Sequence, residues 1–509
     1  MNTSVKILRA LVSVYSKDNL APLVQELGAA GVQFVSTGGT RDFIQQLGYP
    51  VVPVEDITGY PSIFGGRVKT LHPSIFGGIL YRRDHNDDSD QAREHNIQPI
   101  DLVIVDLYPF EDTVASGGTE SEIIEKIDIG GISLIRGAAK NFKDVWVISS
   151  RNQYAEALEL MKSKKCCTDV NDRRRFASLA FGVTSHYDTA IFNHFNADKS
   201  IPGFKVSVQN GQLLRYGENP HQKAVYYGDL DRLFEKLGGK ELSYNNLVDL
   251  DAAVQLLGEF QEETAFVIIK HTNACGAATA TTVKEAYLKA LQADPVSAFG
   301  GILATNKPIT KAAAEEIHQL FFEILVAPAY EPEALALLKS KKNRNILKQK
   351  TALNETRQFK SLLNGIIEQE IDHQTDSEAN LQVVTTRQPS HTEVKAMLFA
   401  ARLAKHSKSN TIVLATADQM VASGIGQTSR VDALRQAIDK ANRFGFDLKG
   451  AVMASDAFFP FPDCVEIAHS VGIGAVIQPG GSIKDQDSIA FCNQHNMAMV
   501  VTGFRHFRH

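Results

Sequence analysis

The dipeptide Lys270-His271 directly follows the apolar run FVII, so both side chains are expected at the carboxyl end of a strand. A lysine ammonium there can stabilise an oxyanion, and a histidine can move a proton near neutral pH. This pairing suits acyl or formyl transfer. A Lys-His dipeptide is also common by chance, so a catalytic and an incidental interpretation both stay open. Cys275 lies beside a glycine, in the kind of loop that usually carries an inert thiol.

The sequence STGGT, at residues 36–40, joins a predicted strand to a predicted helix start. Gly38 and Gly39 would let the backbone turn tightly, and the free N–H groups of a helix N-terminus attract phosphate. Lys17 lies in the preceding loop between strand and helix, and would add positive charge at the same end of the sheet. A simple tight turn explains the glycine pair equally well, so phosphate binding is one of two interpretations.

Three further segments carry polar side chains that could act on a ligand. In FGGRVKTLHP, Arg67 and Lys69 alternate, so an extended segment would place them on one face, where either an anion or solvent must meet them. Tyr108 comes just after an apolar strand, where it is either functional or a packed aromatic with a surface hydroxyl. Asp128 precedes a predicted helix that ends near Lys140, and N-capping is the commoner explanation for such an acidic residue.

Apolar runs and helical stretches alternate through the N-terminal part of the chain, which is typical of a parallel sheet in an α/β domain. Ligands bind beyond the carboxyl ends of the strands in such folds, where the polar, glycine-rich segments fall. The alternation weakens around 195–210, and residues 339–390 are polar with little periodicity. We therefore predict a domain at 1–200 and another at 201–509, with a connector at about 339–390 that carries one or two peripheral elements. Alternation returns near the C-terminus, so the second domain can hold two α/β units, although no simple repeat is visible.

The composition is that of an ordinary globular protein, with 509 residues, 44% of them hydrophobic, and a net charge of −5. This length allows about three or four domains. The chain lacks the basic face of a nucleic-acid binder, any stretch long enough to span a membrane and a signal-peptide pattern. Five irregularly spaced cysteines predict no disulfide framework and favour a cytoplasmic location. The absence of the C-x-x-C and H-E-x-x-H patterns argues against a catalytic zinc.

Taken together, these segments resemble one family throughout, the bifunctional phosphoribosylaminoimidazolecarboxamide (AICAR) formyltransferase / IMP cyclohydrolases. The resemblance keeps the family's order from about residue 11 to the last residue. The segments that carry it are SVYSKDNL, STGGT, GGRVKTLHP, DLYPF, IDIGG, AAKN, RYGENPHQ, KHTNACG, DPVSAFGGI, KSNTIVLA, GIGQTSR, SDAFFPF, QPGGS and RHFRH.

The resemblance implies an enzyme for the last two steps of de novo purine biosynthesis. Such an enzyme formylates AICAR with the cosubstrate 10-formyltetrahydrofolate, giving FAICAR and tetrahydrofolate, and then cyclises FAICAR to IMP with loss of water. The implied fold is an N-terminal methylglyoxal-synthase-like α/β/α sandwich, followed by two cytidine-deaminase-like α/β units without zinc. A homodimer with shared transformylase sites is also implied, with no nucleic-acid or membrane partner. A structural potassium ion near Asp456 is a further implication.

The resemblance also assigns roles to individual residues. His271 is implied to transfer the proton in the transformylase, with Lys270 as its electrostatic partner and Asn410 positioning the formyl group. The catalytic residues implied for the cyclohydrolase are Lys69, Tyr108, Asp128 and Lys140. The implied nucleotide contacts of the first half are Ser13, Lys17, Thr37, Gly38, Gly39, Thr40, Arg67 and Thr70. The implied ribotide contacts of the second half are Arg215, Tyr216, Arg505 and Phe507, and the implied folate contacts are Phe458 and Asp463.

Three departures from the family pattern affect these expectations. Tyr15 replaces a small hydroxyl residue, which removes one expected phosphate hydrogen bond. Asp106 stands where a neutral amide is commoner, and Ala274 replaces a proline that would stiffen the turn after His271. We expect activity to be retained with altered ligand affinities.

Two functions from other classes are compatible with the implied folds. An allosteric nucleotide sensor would need the phosphate cradle, but not Lys69, Tyr108, Asp128 and Lys140 together. A zinc deaminase would need a ligand set that the chain lacks. A transformylase half that has lost its activity is a third alternative.

Overall fold

Alternate residues of the N-terminal strands pack into two different buried clusters. Ala10 and Val12 belong to one cluster, whereas Leu11 between them belongs to the other. Strands buried on both faces read as continuous apolar runs, and their sheet requires helices on each side. The computed structural model, which describes residues 4–509, has this three-layer arrangement in the first of two units, which ends at Gln209.

The strands of the N-terminal unit are β1 (Val5–Lys6), β2 (Arg9–Val14), β3 (Gln33–Ser36), β4 (Val51–Pro53), β5 (Leu102–Asp106), β6 (Trp146–Ile148) and β7 (Cys167–Thr168). Its helices are α1 (Ala21–Ala29), α2 (Gly38–Gln46), α3 (Val54–Thr58), α4 (Pro73–Leu80), α5 (Asn86–Glu94), α6 (Phe110–Ala115), α7 (Glu120–Ile124), α8 (Gly130–Lys140), α9 (Tyr154–Ser163) and α10 (Val170–Phe195). Buried residues of α1 and α9 cover one face of the sheet, and those of α4, α8 and α10 cover the other.

The main sheet of this unit is parallel throughout, in the order β4-β3-β2-β5-β6. The chain runs outward from β2 to β3 and β4, and then returns to the other side of β2 to form β5 and β6. The strand order therefore reverses beside β2, and a crevice for ligands is expected beyond its carboxyl end. The predicted α/β sandwich with a parallel sheet is confirmed.

The strands of the second unit, Asn210–His509, are β8 (Gly211–Leu213), β9 (Val225–Tyr227), β10 (Phe234–Gly238), β11 (Thr264–Lys270), β12 (Asn273–Ala280), β13 (Ile302–Thr305), β14 (Ile324–Ala327), β15 (Asn345–Gln349), β16 (Arg357–Leu362), β17 (Gly365–Glu370), β18 (Gln382–Val383), β19 (Ile412–Ala415), β20 (Met420–Gly424), β21 (Val452–Ser455), β22 (Ala475–Gln478) and β23 (Ala498–Val501). Its helices are α11 (Leu230–Leu233), α12 (Tyr244–Leu257), α13 (Val283–Ala293), α14 (Lys311–Ile317), α15 (Pro332–Lys339), α16 (His391–Lys405), α17 (Arg430–Arg443), α18 (Asp463–Ser470) and α19 (Asp485–Gln494). Among residues 4–509, no helix combines the length and the hydrophobicity of a membrane-spanning segment.

Two mixed sheets of the second unit share one topology. Their orders are β10-β15-β14-β13-β11-β12 and β18-β23-β22-β21-β19-β20, with parallel and antiparallel pairs at matching places. Helices α12 and α16 contribute to a core that both sheets share, for example through Leu250, Val267, Ala400 and Val413. The prediction of two α/β units is confirmed.

The stretch 339–390 contributes to a sheet as well as carrying the expected peripheral elements. It contains β15, which lies inside the first mixed sheet with Ile346 and Leu347 almost fully buried. Because polar residues lie on both sides of this short strand, it is hard to recognise in the sequence. Strands β16 and β17 form a separate hairpin in which every residue is exposed.

Two glycines in matching strands allow a helix to approach each mixed sheet closely. A Cβ atom on Gly424 in β20 would lie 1.8 Å from the carbonyl oxygen of Ala433 in α17. A Cβ atom on Gly276 in β12 would lie 2.1 Å from the carbonyl oxygen of Ala290 in α13. Backbone atoms cannot give way as a flexible side chain can, so both positions require glycine for packing.

We expect Gly424→Ala to lower the free energy of unfolding by about 1–3 kcal/mol, because overpacking forces the helix away from the strand. Urea unfolding followed by circular dichroism measures this change. Gly365→Ala is the matched control, since no atom lies within 4 Å of its added methyl group, and it should change stability by less than about 0.5 kcal/mol. Equal urea midpoints for the two variants would contradict the packing argument.

Candidate active sites

Two lysine ammonium groups flank the N-terminus of α2. A Cβ atom on Gly38 would lie 3.9 Å from Nζ of Lys69, and one on Gly39 would lie 3.9 Å from Nζ of Lys17. Nζ of Lys17 donates to the carbonyl oxygens of Val14 and Tyr15, at 3.0 and 2.9 Å. Burial lowers the pKa of Lys17, and the charge of Asp106 opposes this shift. Free N–H groups of a helix start beside two cations form a favourable site for an anion such as phosphate.

Some hydroxyl groups of this region form hydrogen bonds within the protein. Oγ1 of Thr40 donates to the carbonyl oxygen of Val14 at 3.0 Å, and accepts from the Val14 amide at 3.3 Å. Thr40 therefore ties α2 to β2, while Thr37 donates to Glu55 at 3.2 Å. Ser13 lies on β2 opposite Val105 and is partly exposed.

Arg67 and Lys69 contact different elements, so the predicted shared face is wrong. Residues Phe64–Gly66 form a 3₁₀ turn, and Arg67 continues it with φ −66° and ψ −24°. This bend directs Arg67 to Glu125, with which it forms an ion pair, whereas Lys69 lies beside Gly38. Thr70 is buried, with its hydroxyl 3.2 Å from the position of a Cβ atom on Gly130.

The carboxylate of Asp128 lies across the N-terminus of α8. Its Oδ1 accepts from the Gly131 amide at 2.6 Å, and a Cβ atom on Gly131 would lie 2.6 Å from Oδ2. Burial raises the pKa of Asp128, and backbone N–H donors of Gly131, Tyr108 and Ile132 oppose this shift. Burial also raises the pKa of Tyr108, with the charge of Asp128 adding to the effect. Asp128 therefore accepts a hydrogen bond from the first turn of α8, as a capping residue does, and it also lies beside Tyr108.

Lys140 lies away from the other three residues implied for cyclisation. It is the exposed last residue of α8, which begins beside Asp128. An eleven-residue helix is about 16 Å long. The helix runs back along the sheet, so that Lys140 lies near the start of β6, at the amino edge. Within one chain, the structure places Tyr108 beside Asp128 and Lys69 beside the N-terminus of α2, whereas Lys140 lies apart from Asp128.

In the second unit, His271 lies at the tip of a tight hairpin between β11 and β12. His271 and Thr272 have φ of 50° and 65°, the left-handed pair that a two-residue hairpin turn requires. The Thr272 amide donates to Oδ1 of Asp249 at 2.7 Å. Asp249 lies on α12 and has no local signal in the sequence, so sequence reasoning missed this anchor. Ala274 lies inside β12, so the predicted loss of rigidity in the turn itself is wrong.

The side chains around this hairpin are fixed by backbone carbonyl groups. Nζ of Lys270 donates to the Phe299 carbonyl oxygen at 2.7 Å. Nδ2 of Asn410 donates to the Gln427 carbonyl oxygen at 2.9 Å. The Lys408 amide donates to Oδ1 of Asn273 at 3.2 Å, which joins the His271 hairpin to the segment that carries Asn410. Burial raises the pKa of the Cys275 thiol to about 12, as expected for an inert cysteine.

The remaining predicted residues form local pairs at the surface. The Arg215 guanidinium lies 4.5 Å from the ring centre of Tyr216, and that of Arg505 lies 4.4 Å from the ring centre of Phe507. The Tyr244 amide, at the start of α12, donates to the Tyr216 carbonyl oxygen at 3.3 Å. Helix α12 therefore contacts both the Arg215-Tyr216 segment and, through Asp249, the His271 hairpin. Phe458 and Asp463 are the predicted folate contacts. Phe458 lies on the segment that leads into α18, and Asp463 is the first residue of α18.

A family model described as the AICARFT/IMPCHase bienzyme matches residues 138–440, more than half of the chain. The chain belongs to this bienzyme family. A model of the MGS-like domain matches residues 19–133, within the N-terminal unit. The bifunctional purine biosynthesis protein PurH of Bacteroides thetaiotaomicron is 58% identical over 509 residues, which cover 100% of both chains. PurH of Aquifex aeolicus is 45% identical over 511 residues, covering 99% of this chain and 100% of that protein.

A solved structure, the crystal structure of ForH, is 33% identical in sequence. It covers 37% of this chain and 99% of its own, with a TM-score of 0.33.

A structural potassium ion, which the bienzyme family implies, can be tested against the surroundings of Asp456. This residue is buried, and its Oδ1 accepts from Arg430 at 2.9 Å and from the Thr411 amide at 3.2 Å. Oδ2 has no hydrogen-bond partner within residues 4–509. Asp456 borders a cavity of about 10 Å³ whose lining includes Gln478 and Thr502. An unpartnered carboxylate oxygen beside polar groups fits a monovalent cation, although Arg430 already neutralises the carboxylate. No group of three or more His, Cys, Asp or Glu side chains suited to a metal ion occurs in the described part of the chain.

The C-terminal segment of this bienzyme is held by ion pairs around His506. Nδ1 of His506 lies 2.6 Å from Asp372, and Nε2 lies 3.7 Å from Asp376. Burial alone would lower the pKa of His506, but its two carboxylate neighbours outweigh burial and raise the pKa to about 9. The charged imidazole is therefore part of the folded state at neutral pH.

Because the folded-state pKa of His506 lies above the unfolded value, its contribution is fully present below about pH 6.5 and is lost as the pH rises through about 9. We expect the free energy of unfolding to fall by about 2 kcal/mol from this group over that window. Urea unfolding at stepped pH, comparing wild type with His506→Gln, measures the difference. His391→Gln changes an exposed histidine at the start of α16 and should follow wild type. Parallel pH curves for wild type and His506→Gln would rule out the linkage.

Proposed function

We propose that this chain catalyses the last two steps of de novo purine biosynthesis in the cytoplasm. The C-terminal unit transfers the formyl group of 10-formyltetrahydrofolate to AICAR, giving FAICAR and tetrahydrofolate. The N-terminal unit closes FAICAR to IMP with loss of water. The observation that carries the proposal is the full-length similarity to proteins named bifunctional, at 58% identity, in a chain with a polar site in each unit.

Formyl transfer requires help because the exocyclic amine of AICAR is a poor nucleophile, with its lone pair delocalised into the ring and carboxamide. A site must remove the amine proton and stabilise a tetrahedral oxyanion. His271 is the proposed proton-transfer residue, since its ring is exposed at the tip of a hairpin anchored by Asp249. Lys270 supplies positive charge beside it, and Asn410 orients the formyl group.

Ring closure joins the carboxamide nitrogen to the formyl carbon and releases water, so proximity and charge stabilisation suffice without a cofactor. Asp128 is the proposed base, because burial raises its pKa and makes the carboxylate a stronger proton acceptor. Tyr108 stays protonated at neutral pH and donates a hydrogen bond to the reacting oxygen. Lys69 stabilises negative charge from the side of α2. Only the family resemblance assigns Lys140 to ring closure, because its distance from Asp128 does not support a role at the same site.

Binding of the substrates is proposed for the surrounding polar residues. The α2 N-terminus and Lys17 take the nucleotide phosphate, and the neighbouring contacts are Ser13, Thr37, Gly38, Gly39, Thr40, Arg67 and Thr70. Arg215, Tyr216, Arg505 and Phe507 take the ribotide of AICAR, and Phe458 and Asp463 line the folate pocket. A potassium ion, where bound, would be held by Asp456 and would stabilise the C-terminal segment.

We propose a homodimer as the functional form. Family resemblance supports it, and so does the β16–β17 hairpin, whose residues are all exposed. A two-stranded hairpin is marginally stable alone. Its exposed Phe359, Ile366 and Ile367 provide the apolar surface that a second copy could cover.

The two activities can be separated by ultraviolet absorbance of the full-length protein with AICAR and 10-formyltetrahydrofolate. Wild type should form tetrahydrofolate and IMP. His271→Ala should lower formation of both by about 10²–10⁴-fold, since it removes proton transfer from the first step. Lys69→Ala should form tetrahydrofolate while FAICAR accumulates, because only the second step loses charge stabilisation.

Lys162→Met is the control for these variants, because Lys162 is exposed on α9, outside either proposed site. A wild type that cyclises supplied FAICAR without forming tetrahydrofolate would leave only the N-terminal activity. A wild type that does neither would overturn the whole proposal.

Phosphate recognition can be tested by calorimetric titration with IMP. Lys17→Met should raise the Kd by about tenfold at low salt, and the difference should shrink at high salt as charges are screened. Lys162→Met, which removes the same charge elsewhere, should leave the Kd unchanged. An unaltered Kd in Lys17→Met would place the phosphate away from the α2 N-terminus.

A further inference from the structure

Two tyrosines and one lysine meet at the carboxyl edge of the parallel sheet. The ring centres of Tyr15 and Tyr108 lie 5.5 Å apart, and the ring planes cross at 85°. Nζ of Lys126 lies 5.1 Å from the Tyr15 ring centre and 6.0 Å from the Tyr108 ring centre. Edge-to-face rings and an ammonium group over aromatic faces are both attractive arrangements. The three side chains therefore form a cation–aromatic set around Tyr108.

The backbone of Tyr15 is held at the ends of β2 and β5. The Tyr15 amide donates to the carbonyl oxygen of Asp106 at 3.2 Å, and the Ser16 amide donates to its Oδ2 at 3.0 Å. Nε of Arg151 lies 3.6 Å from Oδ1 of the same carboxylate. Asp106 thus fixes the loop that presents the Tyr15 ring to Tyr108.

The backbone of Lys126 is held on the opposite side by one buried phenol. The Tyr187 hydroxyl donates to the Lys126 carbonyl oxygen and accepts from the Asp128 amide at 2.8 Å. The Tyr187 ring packs edge-on against Phe110, with centres 6.1 Å apart. Lys126 and Asp128, which are two positions apart along the chain, are therefore placed by the same anchor.

Neither Tyr15 nor Tyr108 is fixed by burial in the core. The exposed fraction is 45% for Tyr15 and 40% for Tyr108. A half-exposed phenol can change rotamer readily unless a neighbour restrains it. The contacts of the cation–aromatic set supply this restraint, so they can serve the site rather than the stability of the fold.

We propose that Tyr15 and Lys126 are positioning residues for ring closure, which hold the Tyr108 phenol beside Asp128. This inference rests on the proposed cyclohydrolase function of the N-terminal unit. Tyr15 restrains the phenol ring from its edge. The Lys126 ammonium restrains both rings, and its charge favours the ionised form of Tyr108.

The titratable groups that face the Tyr108 phenol are Tyr15, Lys126, Asp128 and Tyr187. Burial, Asp128 and Tyr15 raise the pKa of Tyr108. We expect removal of the positive charge of Lys126 to raise this pKa further, because a nearby cation favours the ionised phenol. A reaction that needs the protonated phenol therefore keeps its activity to a higher pH when Lys126 is neutralised. The alkaline limb of its pH profile moves up by about half a pH unit, the effect of a unit charge about 6 Å away in a water-like dielectric.

The test measures cyclisation of supplied FAICAR by the full-length protein, with kcat and KM determined from pH 6 up to a pH well above the ordinary pKa of a phenol, about 10. Tyr15→Ala should lower kcat by about five- to tenfold with KM changed less than twofold, because alignment of the phenol is lost while binding contacts remain. Tyr15→Phe, which keeps the ring, should restore most of kcat. Lys126→Met should lower kcat and move the alkaline limb of the profile up by about half a pH unit.

Lys162→Met controls for loss of a lysine, and formyl transfer by the second unit of each variant reports an intact chain. Wild-type kcat in Tyr15→Ala and an unmoved pH profile in Lys126→Met would overturn the inference and leave the proposed function standing. Equal losses in Tyr15→Ala and Tyr15→Phe would also overturn it, since the hydroxyl rather than the ring would then act. Absence of FAICAR cyclisation by wild type would overturn the proposed function and the inference with it.

Discussion

Strands that are covered on both faces can present polar side chains only where they end. In the N-terminal unit, β2 is buried along Ala10, Leu11 and Val12, and it pairs in parallel with β3 and β5. The loops that follow these three strands must therefore meet at one edge of the sheet. That edge gathers the α2 N-terminus, Lys17 and Tyr108, although they are far apart in sequence. The positions of the proposed cyclohydrolase residues follow from this constraint.

The sequence predicted the elements that have strong local patterns. Alternating strands and helices indicated the parallel sheet, and the STGGT segment indicated a glycine-rich helix start that lies beside Lys17. Residues whose position depends on direction or on distant partners were harder to predict. Lys140 was correctly expected near a helix end, but the helix runs toward the amino edge of the sheet. Asp249 reaches the His271 hairpin from α12, and no short-range pattern encodes that contact.

The duplicated topology of the second unit explains why a structural repeat can escape detection in the sequence. The two mixed sheets share strand order and pairing, which depend on backbone hydrogen bonds and on alternate burial rather than on residue identity. A few positions retain a common requirement, such as Gly276 and Gly424, where a helix backbone approaches the sheet. Elsewhere, different apolar side chains fill equivalent space, since cores tolerate substitution when volume and pattern are kept.

The proposed transformylase site depends on the end of the chain as well as on its own hairpin. The Ser409 amide donates to the Arg508 carbonyl oxygen at 3.0 Å, and the Arg508 amide donates to Oγ of Ser409 at 3.1 Å. This reciprocal pair fixes the segment just before Asn410. His506, two residues earlier, is in turn held by Asp372. Charge at His506 thus stabilises the same C-terminal segment that supports Asn410, so conditions that neutralise this histidine should loosen the site before they unfold the unit.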